Sequence, residues 1–299
     1  MVMRDMRRAF GATVSDLVVN DERVAVVLAE ISTQYFTEAM HAYPDRVVNI
    51  GIMEQAMVGV AAGFAMEGFL PIAHSLSPFM AERPYEQLKL DFGYQGLGGT
   101  FVGVGGSYDY ASEGGTHHAP ADVGLMLGIP RMEVLIPGHG DEVDRLLRAT
   151  YANGQPTYLR ASVTSNTDSH DVAPGRLQVL RHGRRATVLA FGPTLDRTVE
   201  ACEGLDVTVA YATSLRPFDA DGLASVVADR PLVVSVEPFY EGSAALVLTE
   251  ALRHVPTRFV SIGVPRAFIH GYGTPGDLDV FIGLDIEQIR ARLVARLDA

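Results

Sequence analysis

Short runs of β-branched residues alternate with segments of helical period along the chain. In the first half, strands are predicted at 24–28, 47–50, 71–74, 99–104 and 134–137, and helices at 4–20, 54–67, 83–94, 121–127 and 141–153. This alternation predicts parallel strands joined by helical crossovers, and therefore an open α/β sheet.

A polar stretch from Ser162 to Gly175 interrupts this pattern, and it contains almost no hydrophobic residues. The alternation then resumes, with strands predicted at 186–191, 207–211, 232–236 and 258–262 and helices at 195–202, 222–228, 242–253 and 285–297. Because a polar stretch between two such regions is typical of an exposed linker, the sequence predicts two open α/β domains. We place them at 1–163 and 178–299, with a linker at 164–177.

The composition excludes several classes of partner. A net charge of −12 argues against nucleic acid and anionic membranes, because binding phosphates requires a basic surface. The single cysteine, Cys202, excludes an internal disulfide framework and a cysteine-type zinc site. No signal peptide is visible, and no apolar run reaches the roughly 18–20 residues of a membrane span. We therefore expect a cytoplasmic protein.

One carboxylate, Glu54, stands at the start of a predicted helix whose other residues are apolar or small. Burying an unpaired polar group there costs about 2–7 kcal/mol, so the carboxylate needs a partner. The position follows the end of a predicted strand, where ligands bind in open α/β sheets. Two interpretations stay open at this point: Glu54 holds a ligand, or it only complements the helix dipole.

A glycine-rich region, with nine glycines between Gly93 and Gly115, ends in a loop that carries Glu113, His117 and His118. Glycines allow close backbone approach, and histidine titrates near neutral pH, so this loop is a candidate site. The alternative is a flexible surface loop with solvated histidines. Two adjacent histidines and one glutamate rarely converge on one ion, so we predict no metal site.

A third feature is Phe79, which precedes the helical segment that begins with Arg83, Pro84 and Tyr85. An aromatic ring in this position could support a flat ligand, although such a residue is more often part of the core.

Taken together, the order and spacing of these motifs resemble thiamine-diphosphate enzymes of the transketolase family. Residues 51–59 resemble the family's G-I-x-E-Q-x-M-V-G segment, and Thr116-His117 resembles its Thr-His loop. Residues 127–137 resemble the segment that follows this loop, while 237–242 and 283–285 resemble the C-terminal domain. The resemblance implies a pyrimidine-binding domain followed by a transketolase C-terminal domain.

The resemblance also implies residue roles. Glu54 would hydrogen-bond N1′ of the aminopyrimidine and so favour formation of the thiazolium ylide, and Phe79 would stack on the pyrimidine. His117 would be catalytic and bind donor oxygens, Glu113 would bind a donor hydroxyl, and Glu30 would lie near the cofactor.

The diphosphate-binding half of the family's cofactor site has no counterpart in this sequence. The family uses Gly-Asp-Gly with a downstream Asn to ligate Mg²⁺, and the nearest match, Gly276-Asp277-Leu278, lies near the C-terminus. We therefore expect thiamine diphosphate and Mg²⁺ to be held partly by an N-terminal transketolase-like subunit with that motif. The expected assembly is a heterotetramer of two copies of each chain.

The residues expected to bind the phosphate of the substrate differ from those of the family. Arg7 matches an arginine that contacts the acceptor phosphate, but the second such arginine falls at Val163, with Arg160 nearby. This chain has Gly105 at the position of a histidine that contacts the phosphate in the family. It also has His118 where the family usually has Gln. We retain Arg7, Arg160, His118 and Glu113 as substrate-binding candidates. The losses predict a substrate other than a standard sugar phosphate, because each charge-assisted contact contributes about 1.5–3 kcal/mol.

The leading hypothesis is a two-component transketolase that transfers a two-carbon ketol unit from a ketose to an aldehyde. One alternative is the β subunit of a 2-oxo acid dehydrogenase or an acyl-transferring decarboxylase. A second alternative is a non-catalytic binding module that keeps the fold without the chemistry.

Overall fold

The computed structural model describes residues 5–227 and 231–298, which fold around two β-sheets. Six strands of the first sheet come from the N-terminal half: β1 (Val24–Leu28), β2 (Val47–Asn49), β3 (Leu70–Leu76), β4 (Gly99–Val104), β5 (Glu133–Leu135) and β6 (Pro156–Ala161). These six strands are parallel and lie in the order β5-β6-β4-β3-β1-β2. The carboxyl ends of all six therefore meet at one edge.

Helices cover both faces of this sheet: α1 (Met6–Asn20), α2 (Thr37–Ala42), α3 (Glu54–Met66), α4 (Ser77–Ala81), α5 (Tyr85–Gln87), α6 (Asp122–Leu127) and α7 (Gly140–Thr150). Alternate strand residues face opposite sides, so Val26 packs in the cluster with Phe10 of α1, while Val27 packs in the cluster with Met57 of α3. All four of these side chains are fully buried, and the contact of Val27 with the cluster around Met57 packs α3 against the sheet.

The second half adds strands β7 (Gln178–Arg181), β8 (Thr187–Phe191), β9 (Thr208–Ala212), β10 (Ser214–Arg216), β11 (Leu232–Tyr240) and β12 (Arg258–Val264). Its helices are α8 (Leu195–Ala201), α9 (Ala220–Val227), α10 (Ala245–Ala251), α11 (Pro275–Ile282) and α12 (Ile286–Leu297). The second sheet has the order β12-β11-β8-β9-β7, and β10 instead joins the first sheet by pairing antiparallel with β5.

The predicted α/β architecture with mainly parallel strands is confirmed. Two antiparallel pairs occur, β7 with β9 and β10 with β5. The strands β6, β7 and β10 and the helices α2, α4 and α11 were not predicted. Most of these elements are short. Pro156 begins β6, and a proline in the sequence argues against a central strand.

Some predicted boundaries also change. The predicted helix at 83–94 begins instead at Tyr85 and continues as a π-helix over Leu88–Tyr94. The first residue of the helix predicted at 4–20 and the last residue of that predicted at 222–228 lie outside the described residues.

The segment predicted as an exposed linker packs against both halves of the molecule. The Asn166 backbone N–H donates to the Gly138 carbonyl at 2.8 Å, and the Asn166 side-chain amide donates to the Gly192 carbonyl at 3.1 Å. Val172 is also buried. Most residues of 164–177 are exposed or half-buried, while Asn166 and Val172 are buried and anchor the segment between the two halves.

A buried carboxyl in β11 makes stability depend on pH. Glu237 accepts hydrogen bonds from the Ser235 hydroxyl at 2.6 Å and from the Ser243 backbone N–H at 3.1 Å. Burial nevertheless raises the pKa of Glu237 from 4.5 to about 7 in the folded protein. A raised pKa in the folded state stabilises the fold below pH 4.5, and this contribution is lost as the pH rises through 7.

We therefore expect Glu237→Gln to flatten the dependence of stability on pH. Relative to this variant, the wild-type free energy of unfolding should fall by about 2 kcal/mol between pH 5 and pH 8, because only the carboxyl titrates. Equilibrium urea unfolding of both proteins at the two pH values measures this difference. The other buried titratable groups are common to both proteins and cancel. Equal slopes for the two proteins would contradict the assignment.

Candidate active site

Three connections at the carboxyl edge of the first sheet each carry one of the predicted site residues. Glu54 begins α3 after β2, Phe79 lies in α4 after β3, and His117 lies in the loop that follows β4. Because the carboxyl ends of parallel strands meet at one edge, chain segments far apart in sequence converge there.

The Glu54 side chain is enclosed where α3 begins. Gly51 adopts φ +78° in the turn that leads to this helix, a conformation that glycine accepts without strain. Glu54 is 2% exposed, and it is the acidic residue in the first turn of α3. Its position complements the helix dipole, and its burial confirms that the carboxylate needs a partner.

That partner in this structure is Arg83. Its Nη1 atom donates to both carboxylate oxygens of Glu54, at 3.0 Å each. The Arg83 Cζ atom lies 3.7 Å from the centroid of the Phe79 ring, so the guanidinium stacks on the ring face. The Phe79 ring also contacts His117 edge-on, with centroids 5.2 Å apart and planes at 68°. Four residues thus form one continuous set of contacts.

The loop after β4 brings Glu113 and Thr116 next to this set. The Thr116 hydroxyl lies 2.9 Å from Nδ1 of His117, and it also donates to the Glu113 carbonyl at 3.5 Å. The Glu113 carboxylate is exposed, whereas His118 is buried and its Nε2 atom has no hydrogen-bond partner. Burial, with a smaller contribution from the neighbouring His117, lowers the pKa of His118.

Arg7 belongs to a separate hydrogen-bonded group. Its Nε donates to the Ser32 hydroxyl at 2.8 Å, and that hydroxyl lies 2.7 Å from Nε2 of His74. His74 Nδ1 donates to the Val102 carbonyl at 2.8 Å, which fixes Nε2 as the acceptor from Ser32. Burial lowers the pKa of His74 to about 3, so the ring is neutral. The half-buried Arg7 is therefore held in place without a carboxylate partner among these contacts.

Glu30 lies at the same edge of the sheet, just beyond the end of β1. It adopts φ 66°, and its exposed carboxylate accepts a hydrogen bond from the Asn49 amide at 3.0 Å. Asn49 in turn accepts from the backbone N–H groups of Glu30 and Gly51. Glu30 thus braces the turn that leads to Glu54, and it does not contact Glu54 itself.

Arg160 does not fit its predicted substrate-binding role. It is 1% exposed, its Nε donates to Asp122 at 2.8 Å, and its Nη2 donates to the Pro238 carbonyl at 2.8 Å. A Cβ at Gly106 would lie 2.4 Å from Arg160 Cζ, so the backbone closes over the guanidinium. Because a substrate cannot reach a group enclosed in this way, we correct that expectation: Arg160 joins the two halves of the chain.

Two further positions explain why the expected phosphate contacts are missing. Gly105 has φ +78°, and a Cβ there would lie 2.0 Å from the Tyr110 ring. Tyr110 therefore fills the space beside this glycine. Val163 is half-exposed, and its backbone N–H is bonded to Asp109 at 2.9 Å.

The nearest match to a diphosphate motif has a structural role instead. Asp277 accepts hydrogen bonds from the Thr274 backbone and hydroxyl, both at 2.8 Å, and forms a capping box at the start of α11. Within residues 5–227 and 231–298, no group of three or more His, Cys, Asp or Glu side chains could hold a metal ion. No helix in these ranges is long and apolar enough to cross a membrane.

The geometry defines an α/β protein with a buried carboxylate and an aromatic face at the carboxyl edge of a parallel sheet. Together, Glu54 and Phe79 hold the planar guanidinium of Arg83 there. The family comparison agrees with this description. Residues 3–167 match the transketolase pyrimidine-binding domain, and residues 175–289 match the transketolase C-terminal domain. The chain belongs to the transketolase family. The predicted order of the two domains is confirmed.

Several curated relatives are similar over most of this chain. An uncharacterised 33.6 kDa protein in the fasciation locus of Rhodococcoides fascians is 41% identical, over 95% of this chain and 92% of the relative. One of the subunits of the apulose-4-phosphate transketolase of Actinobacillus succinogenes is 31% identical, over 72% of each chain. 1-Deoxy-D-xylulose-5-phosphate synthase of Acidovorax ebreus is 31% identical over 98% of this chain, which spans only 48% of that relative.

Solved structures agree with the fold. A split-gene transketolase, described as an inactive β4 tetramer, matches with a TM-score of 0.86 and 25% identity, over 99% of both chains. A transketolase from Campylobacter jejuni matches with a TM-score of 0.80 and 17% identity, over 98% of this chain and 46% of the other. The second match supports the fold alone.

Arg83 is the site residue to which the sequence pattern assigned no role. Its only signal was its place four residues after Phe79, and that spacing suggests no ion pair with Glu54. The contact depends on two connections meeting at the edge of the sheet, which only the fold establishes.

Proposed function

We propose that this chain is the pyrimidine-binding subunit of a two-component, thiamine-diphosphate-dependent transketolase that transfers a two-carbon ketol unit between a ketose and an aldehyde. One observation carries the proposal: Glu54 and Phe79 already hold a planar, N–H-donating cation. A protonated aminopyrimidine is likewise flat, positively charged and an N–H donor, so these residues fit the cofactor's ring.

Each residue has a distinct task under this proposal. Glu54 holds a proton at N1′ of the pyrimidine, and its enclosure strengthens that hydrogen bond by excluding water. Phe79 presents a ring face for stacking. The cofactor, once bound, supplies an electron sink for carbon–carbon bond cleavage. His117, held by its contact with Thr116, donates a hydrogen bond to a substrate oxygen. The exposed Glu113 accepts a hydrogen bond from a substrate hydroxyl.

The remaining candidates act around this centre. Glu30 braces the turn before Glu54 and so supports the cofactor site. His118 and Arg7 are proposed to contact the substrate, Arg7 as the positive group on that side. The hydrogen bond to Ser32 holds Arg7 in one orientation.

The diphosphate and Mg²⁺ are proposed to bind an N-terminal transketolase-like subunit that carries Gly-Asp-Gly. Supporting this division, Asp277 is committed to a helix cap here. The A. succinogenes relative is itself named as one subunit of a transketolase. We propose a heterotetramer of two copies of each chain, located in the cytoplasm, in which Glu54 acts on a cofactor shared with the partner.

The substrate is proposed to differ from a standard sugar phosphate. Arg160 is committed to Asp122, Val163 stands where the family has an arginine, and Tyr110 fills the space beside Gly105. These features support weaker recognition of a terminal phosphate. A specialised sugar or a carrier-bound acyl group fits this reduced positive charge better.

Reconstitution tests the proposal. We expect no ketol transfer by this chain alone with thiamine diphosphate and Mg²⁺, and transfer when the N-terminal subunit of the same organism is added. Product analysis by mass spectrometry measures the two-carbon shift, and omission of the cofactor is the control. Turnover by this chain alone would contradict the division of the site. Release of carbon dioxide from pyruvate by the complex would instead favour the decarboxylase alternative, and an inactive complex would favour a binding module.

A further inference from the structure

We propose that Arg83 is an internal stand-in for the cofactor's aminopyrimidine, closing the ring site in the free chain and leaving when the cofactor binds. This inference rests on the proposed function, because it assumes that Glu54 and Phe79 hold the pyrimidine.

The chemistry of the contacts supports the substitution. A guanidinium is planar, always protonated, weakly hydrated, and able to stack on an aromatic face while donating to a carboxylate. Arg83 does both, donating to the two oxygens of Glu54 at 3.0 Å and stacking 3.7 Å from the centre of the Phe79 ring. An aminopyrimidine protonated at N1′ offers the same combination of flat shape, positive charge and N–H donor.

The two groups exclude one another. A separation of 3.7 Å is a van der Waals contact, so no second ring fits between Arg83 and Phe79. The Phe79 ring also has His117 against it, in an edge-on contact. The pyrimidine can therefore use this carboxylate and this ring face only after Arg83 has moved away.

The surroundings allow that movement. The Arg83 side chain is 41% exposed, while that of Glu54 is 3% exposed, so the arginine is the partner that can turn into solvent. Glu54 alone would leave a carboxylate buried without a partner, which is costly. The exchange keeps this carboxylate paired in both states, first with Arg83 and then with the cofactor.

Competition of this kind weakens the measured affinity for the cofactor, because only the fraction of molecules with an open site can bind. Removing the competitor should therefore tighten binding. We expect Arg83→Ala to lower the dissociation constant for thiamine diphosphate at least fivefold in the assembled complex, measured by isothermal titration calorimetry with Mg²⁺ present. This readout does not depend on turnover.

Arg253→Ala is the matched control, because Arg253 forms an exposed ion pair with Glu250 far along the sequence in the second half. Its dissociation constant should equal that of the wild type. Arg83→Lys is the second variant: it keeps the charge but loses the planar fork, so its constant should lie between those of the wild type and Arg83→Ala. If the alanine variant does not fold, the lysine variant decides.

An unchanged or higher dissociation constant in the Arg83 variants would overturn the inference, since it would show that Arg83 does not compete with the cofactor. That outcome would leave the proposed function standing if the wild-type complex binds the cofactor. Failure of the wild-type complex to bind thiamine diphosphate would remove both proposals together.

Discussion

Glu54→Gln should lower the turnover of the assembled complex by about 10²–10⁴-fold, the range for losing a positioned acid–base group. The substitution keeps the shape and hydrogen-bonding capacity of the side chain but removes the carboxylate that holds the proton at N1′. Because Glu54 is enclosed, no water can take over this task easily. Steady-state kinetics with saturating cofactor measures the effect, which should appear in kcat.

The matched control is Glu86→Gln, a change of the same type at an exposed residue of α5. Its kcat should remain within twofold of the wild type, as expected for a solvated side chain. Circular dichroism and cofactor titration of both variants separate a chemical defect from a loss of fold. Unimpaired turnover of Glu54→Gln would remove the catalytic assignment and favour the interpretation of Glu54 as a complement to the helix dipole.

Arg160→Met should destabilise the protein by about 3–5 kcal/mol, because the change leaves Asp122 buried without its charged partner. Both residues are fully enclosed, and Asp122 also accepts a hydrogen bond from the Tyr158 hydroxyl at 2.9 Å. The contact from Arg160 to the Pro238 carbonyl would be lost as well. Urea unfolding at pH 7, followed by circular dichroism, measures the change in the free energy of unfolding.

Arg148→Met serves as the control, since Arg148 forms ion pairs with Asp16 and Asp144 on the surface. Its effect should stay below about 1 kcal/mol. The double variant Arg160→Met/Asp122→Asn should recover at least half of the loss, because it removes the orphaned carboxylate. A fully stable Arg160→Met with only a raised KM would restore the substrate-binding role that the structure argues against.

A single local motif was enough to identify one candidate site residue and two strands from the sequence. Glu54 was identified because it is a carboxylate at the start of a helix whose other residues are apolar or small, and its burial is confirmed. The strands β1 and β4 were predicted with their observed bounds because both are short segments rich in β-branched residues. Local patterns of this kind predict structure because the spacing of apolar residues determines which side chains are buried.

Contacts between residues far apart in the sequence could not be predicted from local patterns. The sequence places Arg160 three residues before Val163, but it does not show that Asp122, 38 residues away, pairs with the guanidinium. The pairing of Arg83 with Glu54 spans 29 residues and requires two strands to lie at one edge. No periodic pattern encodes such pairs, so the fold is needed to assign both arginines.

The strand β10 has a consequence for anyone who divides this chain. Although it lies in the second half of the sequence, Ser214 and Arg216 complete the first sheet by pairing with β5, and Arg216 also donates to the Ile129 and Leu127 carbonyls. A fragment ending at the apparent boundary would present β5 as a bare sheet edge, open to pairing with other chains. A fragment of the first half that keeps this sheet intact therefore has to extend past β10, and truncations should end beyond Arg216.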